Sequence, residues 1–434
     1  MSTKVKTETE DLIQFLNASP TAWHAVDEMR QRLTKAGFTY LEENEAWKLT
    51  KGGKYFVSRG GSSLAVFQLP KENPKSAFIL GAHTDSPALK IKPNAEFLKE
   101  NMLMIGVEIY GGPLITSWLN RDLGIAGRAV GLDQKGRVQT RLVRIEQFPL
   151  QIPQLAIHLD RSVNEQGVLL NKQEHLAALA ALDIKPDKVT HKTHYLENLL
   201  KKECQFTSIL SHELFLYPLE APRFLGNEQQ MLSSYRLDNL GGVHAALYSL
   251  LQPSKTSKEN LKMAIFWDNE EIGSHTFKGA SSPFLPQILE RICLALELGR
   301  EDYFQLIAKS QCLSIDLVHA LHPNYPEKHE ARHLTLMNQG IVIKTNAAQR
   351  YAGDAISVAQ VVDICQKEKI PYQYFVSRND ITSGTTIGPI TANLTGIPTV
   401  DVGFAQLSMH STRELCACQD HVDMCRFLKA FINR

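Results

Sequence analysis

The sequence contains no CxxC pair. Its seven cysteines are an odd number, and the near neighbours Cys416 and Cys418 have no complementary thiol pair after them. A disulfide framework is therefore not expected, and structural thiols in a reducing cytoplasm are. Excess charge of either sign is also missing. Lys plus Arg is 47 against 46 for Asp plus Glu, which argues against nucleic acid or an anionic membrane as a general partner. No apolar run approaches the length of a membrane span. The first residues, MSTKVKTETEDL, lack the apolar core of a signal peptide. Neither Lys51-Gly52-Gly53 nor Arg59-Gly60-Gly61-Ser62 carries the terminal Gly-Lys-Ser/Thr of a phosphate-cradling loop. Internal repeats and low-complexity linkers are absent too.

What remains is a chain of 434 residues with 43% apolar and 21% charged side chains. That composition folds, and the length admits two or three domains or one domain with a large insertion. Helical spacing of Leu12, Phe15, Leu16, Trp23, Val26, Met29 and Leu33 predicts two helices over 8–36, broken at Ser19-Pro20-Thr21. Helices are also expected from 286–298, 353–367 and 420–432. Strands are expected at 77–81, 263–267, 312–315, 340–344, 372–376 and 398–402. Between about 95 and 230 the pattern changes. Short β-like runs at 102–109, 123–130 and 138–145 alternate with Gly and Asp turns, with a helix expected near 173–181. The fold expected is α/β: a catalytic domain of residues 1–93 and 232–434 interrupted by a β-rich domain, 94–231.

The chemistry gathers where apolar strands stop. Met263–Trp267 ends in Asp268-Asn269-Glu270-Glu271, and several carboxylates at a buried strand end are costly unless a cation neutralises them. Ligands of open α/β sheets bind at the carboxyl ends of strands. An acidic turn that simply caps the next helix is the plainer alternative. The 77–81 strand runs into His83-Thr84-Asp85, a His with a carboxylate placed to fix its tautomer, or else a surface turn. Asp238 stands at a helix start, as an N-cap would. Asp316 follows the 312–315 strand and His410 follows the 398–402 strand. His83, Asp238, Glu271, Asp316 and His410 thus share one context. Imidazole and carboxylate without thiolate suit zinc, and also admit manganese or cobalt. Five ligands suit two metals with one carboxylate between them. Glu270, beside a ligand but not one itself, is the candidate to move a proton. His158 lies in the apolar run Ile152–Asp160, where a satisfied strand histidine is the ordinary reading.

The motifs GAHTDSP, WLNRDLGIAGR, IPQLAIHLDR, DNEEIGS, SIDLVHALHPNY, VIKTNAAQRYAGD, RNDITSGTTIGPI and QLSMHSTRE span nearly the whole chain. Together they resemble the aspartyl aminopeptidase (M18) family of metallo-aminopeptidases. The resemblance implies a di-zinc exopeptidase-like catalytic domain with two zinc ions per subunit at His83, Asp238, Glu271, Asp316 and His410. Asp238 would be the bridge, Glu270 the general base and Asp85 the carboxylate behind His83. It further implies a dodecamer built from dimers, with the β-rich insertion making the dimer contact. His158 matches a family histidine that reaches a neighbouring subunit's active site and is sometimes counted with the zinc-binding histidines. Lys344 and Tyr351, with His319 nearby, match the pocket for the first residue. The implied activity is release of N-terminal Asp or Glu from peptides in the cytoplasm. A neutral-residue aminopeptidase on the same metals, a related carboxypeptidase or deacylase, and a cage-like assembly protein with little catalysis are the alternatives.

Overall fold

The computed structural model describes residues 3–185 and 193–434. The chain forms two compact units. The first comprises Met1–Asp85, Pro222–Met409 and Glu414–Arg434; the second comprises Ser86–Ala221 and His410–Arg413. The joints fall at 85/86 and 221/222, whereas the sequence pattern suggests 93/94 and 231/232. The reason lies in strand pairing. The strand Ala88–Lys99 pairs wholly within the second unit's sheet, and Met231–Ser234 pairs with Glu414–Ala417 of the first.

Among the described residues the first unit holds a 13-stranded mixed sheet. Its central strands are apolar on both faces because helices cover both. In Ser63–Gln68, Leu64 and Val66 point into one core while Ala65 and Phe67 point into the other. In Asn260–Trp267, Ala264 and Phe266 alternate in the same way with Met263, Ile265 and Trp267. The period of two sends successive side chains to opposite faces. One face is covered by Thr3–Ala18, Ala22–Lys35, Leu237–Leu251, Ala355–Glu368 and Cys418–Ile432. The other is covered by Phe284–Ala295, Arg300–Lys309 and Ile387–Thr395. Burying a side chain such as Phe266 stabilises the fold by roughly 1.5–3 kcal/mol, and the core is continuous up to the strand ends that carry the polar turns.

Among the described residues the second unit holds a six-stranded antiparallel sheet in the order 138–150, 123–132, 208–218, 88–99, 102–110, 178–182. One expectation fails here. The helix expected near 173–181 is instead the edge strand Ala178–Leu182, paired antiparallel with Met102–Ile105. Alanine favours a helix, but an open sheet edge offers this segment hydrogen bonds that its propensity does not outweigh. The unit's longest helix among the described residues is Tyr195–Cys204, whose first amides are held by the Glu96 carboxylate, Tyr195 N at 2.9 Å and Leu196 N at 2.7 Å. No helix of the described residues is long and apolar enough to cross a membrane.

Candidate metal centre

Three neighbouring strands deliver the site. Ser76–His83 lies between Asn260–Trp267 and Gln311–Ile315 and runs parallel to both. The register sets His83 opposite Trp267 and Gly81 opposite Ser314. Parallel strands end on the same side of a sheet, so His83, the Asp268–Glu271 turn and Asp316 emerge side by side. A fourth element comes in over them. The helix Leu237–Leu251 begins with Asp238 and Asn239 outside helical angles, joined by a cis peptide. Asn239 Nδ2 donates to Ile315 O at 2.7 Å, and Asp238 N donates to Glu414 Oε2 at 3.0 Å. Those two bonds hold Asp238 against the strand that ends in Asp316.

The result is one imidazole ringed by carboxylates. His83 Nε2 lies 3.4 Å from Asp238 Oδ1, 3.6 Å from Asp316 Oδ1 and 4.0 Å from Glu270 Oε2. On its other side, Nδ1 lies 3.4 Å from Asp85 Oδ1. Asp85 also accepts from the backbone amides of Glu270 and Glu271, each at 3.1 Å. The carbonyl oxygen of Asp85 is closer still to His83 Nδ1, at 3.2 Å, so this one residue fixes both the imidazole and the turn that carries the two glutamates.

The electrostatics of this crowd are unfavourable by themselves. Burial pushes the Glu270 carboxyl up to about 8; His83 opposes the rise, while Asp316, Asp85 and Asp238 add to it. Burial would lower the His83 pKa, but Glu270, Asp238, Asp316 and Asp85 carry it well above its ordinary value. Negative charge thus exceeds what one imidazolium can balance, as it would around an absent cation. His83, Asp238 and Asp316 place one donor atom each within 4.8 Å of one another, and so do His83, Glu270 and Glu271. The donors are nitrogen and oxygen only, a set that zinc, manganese or cobalt accepts. The residues present fit a metal.

His410 belongs to the second unit's short segment, where its Nδ1 lies 3.0 Å from Gly112 O and its carbonyl accepts from Leu114 N. Lys344, on Ile341–Lys344, is buried. Its ammonium donates to Asp316 Oδ2 at 3.1 Å and to Leu317 O at 2.8 Å, and stands 5.4 Å from the Tyr351 ring centroid. Burial would lower its pKa, but Asp316 raises it, so the side chain stays charged. His319 and Tyr351 line a cleft of about 380 Å³ together with Lys328, Phe375, Arg378 and Ser383. His158 is not in a strand. It sits in an exposed turn after Pro153, flanked by exposed Leu155, Ile157 and Leu159. Among the described residues the alternation that reads as a strand has no strand to pair with there, and Pro153 withholds an amide.

Several contributors escape sequence reasoning. Glu414 and Asn239 position Asp238. Arg236 donates to Thr84 O, between His83 and Asp85, and to Pro20 O. The only available signal was adjacency: Arg236 and Asn239 flank Asp238 in Arg236-Leu237-Asp238-Asn239, and Glu414 closes QLSMHSTRE.

Comparison with known proteins bears on this geometry. Residues 15–432 match the pattern of the family described as Aminopeptidase I zinc metalloprotease (M18). A Streptomyces avermitilis protein named probable M18 family aminopeptidase 2 is 42% identical over 432 residues, covering 98% of this chain and 97% of its own. The structure of an Ape4 and Nbr1 complex contains a chain 35% identical to this one, with a TM-score of 0.93, covering 99% of this chain and 86% of that one. The mApe1 dodecamer of S. cerevisiae is 28% identical, with a TM-score of 0.84, covering 99% of this chain and 97% of that one.

Proposed function

The chain belongs to the Aminopeptidase I (M18) family of zinc metalloproteases and is an aminopeptidase; from that premise we propose that it releases N-terminal Asp or Glu from peptides at the His83 crevice. The observation that carries this reading is the imidazole of His83 set among Asp238, Asp316 and Glu270, with the buried ammonium of Lys344 on Asp316. His83, Asp238, Glu271, Asp316 and, from the resemblance of its segment, His410 would hold two zinc ions. Zinc bound there would supply an acidified water and polarise the peptide carbonyl.

The chain's own groups do the rest. Glu270 takes the proton of the attacking water and passes it to the leaving amine. Asp85 keeps the His83 ring and the Glu270 amide in register. Lys344 and Tyr351, with His319 at the cleft, receive the acidic side chain of the first residue. We propose further that subunits assemble as a homododecamer built from dimers and that His158 serves a neighbouring subunit; the mApe1 of S. cerevisiae is itself a dodecamer. Its exposed turn and apolar flanks support a role outside its own chain.

Hydrolysis rates over peptides differing only in the first residue, with defined metals added to chelated enzyme, test the reading. Asp and Glu peptides should be cleaved fastest, with activity returning on zinc. Faster cleavage of Leu peptides would assign the neutral-residue activity instead. For His158, His158→Ala mixed and reassembled with Glu270→Gln should regain activity, because each subunit type supplies what the other lacks. No recovery in verified mixed dimers removes the cross-subunit role.

A further inference from the structure

We propose that Lys278, acting through Asp268 and Ser62, is a positioning residue for Glu270. The inference rests on Glu270 being the proton-transfer group, as argued above. Its starting point is a turn that has no part in that chemistry, Gly60-Gly61-Ser62-Ser63.

Asp268 is the first residue beyond the strand Asn260–Trp267, two positions before Glu270. It is buried, yet among the described residues it belongs to none of the candidate metal groups. Its carboxylate is already engaged. Oδ2 accepts from Lys278 Nζ at 2.6 Å and from Ser62 Oγ at 2.6 Å, and Oδ1 accepts from Asn269 N at 2.8 Å. Lys278 is also buried, donates to Ser62 Oγ at 3.0 Å, and lies 5.3 Å from the Trp23 ring centroid. The pair joins the two ends of the 268–278 loop, with Glu270 and Glu271 between them.

The turn at 60–63 is shaped to this ion pair. Ser63 Oγ donates to Lys278 O at 2.8 Å and accepts from Asp268 N at 2.9 Å, so a single hydroxyl bridges both ends of the loop. Ser62 O accepts from Thr84 Oγ1 at 2.7 Å, which ties the segment between His83 and Asp85 to the same turn. A Cβ on Gly60 would come within 2.5 Å of Lys278 Cδ, and Gly60 has φ +61°, so glycine is required there on both counts. Inside the loop, Ser274 N donates to Asn269 O at 2.8 Å and Thr276 Oγ1 to Asn269 Oδ1 at 2.8 Å.

Glu270 is therefore held from two directions. Asp85 holds its amide, and the Lys278–Asp268 pair holds the loop it rides on. Replacing both members of a buried ion pair with apolar groups is often close to neutral for stability, whereas removing one partner is strongly destabilising. What such a pair fixes is geometry, and a displacement of about 1 Å at a reacting group can cost on the order of 10²-fold in rate.

The test is Lys278→Met in the intact enzyme, assayed well below its melting temperature, with Ser62→Ala as the milder variant. Expected for Lys278→Met is a fall in kcat of roughly 10–100-fold, with KM and metal content per subunit unchanged; Ser62→Ala should fall in the same direction but less. A folded Lys278→Met enzyme with the parent's kcat overturns the proposal. If Lys278→Met does not fold, Ser62→Ala decides alone: reduced kcat at full metal content supports the proposal, and the parent's kcat overturns it. Loss of metal together with turnover in either variant also overturns it, since the pair would then be holding ligands. Glu270→Gln separates the two readings: a fully active Glu270→Gln sinks the role of Glu270, whereas an inactive Glu270→Gln beside a fully active Lys278→Met sinks only this one.

Discussion

Among the described residues of the first unit, two clusters of histidine and carboxylate behave in opposite ways. In the crevice, one imidazole meets Asp85, Asp238, Glu270 and Asp316, and its pKa rises. Under the helices, two imidazoles stand in line behind one carboxylate. His244 Nδ1 and His421 Nε2 are 3.1 Å apart, and His244 Nε2 lies 3.1 Å from Asp11 Oδ2. Burial lowers the pKa of both, most strongly at His421, which His244 depresses further. Residue types alone do not separate the two clusters; the ratio of acid to base does. Surplus carboxylate asks for a cation, while surplus imidazole stays neutral and closes a hydrogen-bond chain.

The largest effect that would sharpen this contrast is on turnover. Glu270→Gln should lose roughly 10²–10⁴-fold in kcat with its metals retained, whereas His421→Gln should keep the parent's kcat. Loss of a metal from Glu270→Gln would mean that Glu270 and Glu271 have exchanged roles. Next in size is Lys344→Leu. Losing a charge-assisted hydrogen bond costs on the order of 1.5–3 kcal/mol, or about 10–150-fold. kcat/KM for Asp and Glu peptides should fall by that factor relative to Leu and Ala peptides. Because the ammonium also holds Asp316, a smaller loss on neutral peptides is expected as well; equal losses on all peptides would remove Lys344 from the specificity pocket.

Metal removal comes third. A cation present at about 100 times its Kd stabilises by roughly 2.7 kcal/mol, so chelation should lower Tm by a few degrees. An unchanged Tm would break the comparison, because the carboxylates would then tolerate one another unaided. The smallest effect is pH-dependent and belongs to the other cluster. Histidines with folded pKa values below the unfolded value bind protons only after unfolding. Their contribution is therefore intact above about pH 6.5 and declines as pH falls. His421 faces His244, Cys425 and, through His244, Asp11 with Arg32 on it. His421→Gln should flatten the loss of Tm between pH 7 and 5.5; an unaltered slope would place the acid sensitivity elsewhere.

The same contrast explains what was legible. Strands buried on both faces, such as Met263–Trp267, show as unbroken apolar runs, and a polar turn after such a run marks a strand end. His83, Glu271 and Asp316 could therefore be singled out one by one. Their meeting could be inferred from that shared context and from the resemblance, but the parallel register that produces it, between segments as distant as Gly81 and Ser314, was not legible. Asp85 was legible as a partner of His83 but not as the acceptor for two amides of another turn. Ala178–Leu182 and the turn at His158 were misjudged because neighbours decide them: a vacant sheet edge in one case and the lack of a pairing strand in the other. Ser62 and Lys278 gave no signal at all, being joined only by the fold.

The order of the three parallel strands has a consequence for how the enzyme is made. His83 leaves the ribosome early, but the neighbours that flank its strand end at Trp267 and Ile315. Until the later of them has emerged and docked, the nascent chain has only scattered acids and a lone imidazole. A peptidase built this way has no competent site until those later strands have joined the sheet, and becomes able to cut only after it has finished assembling the sheet that its substrates must find.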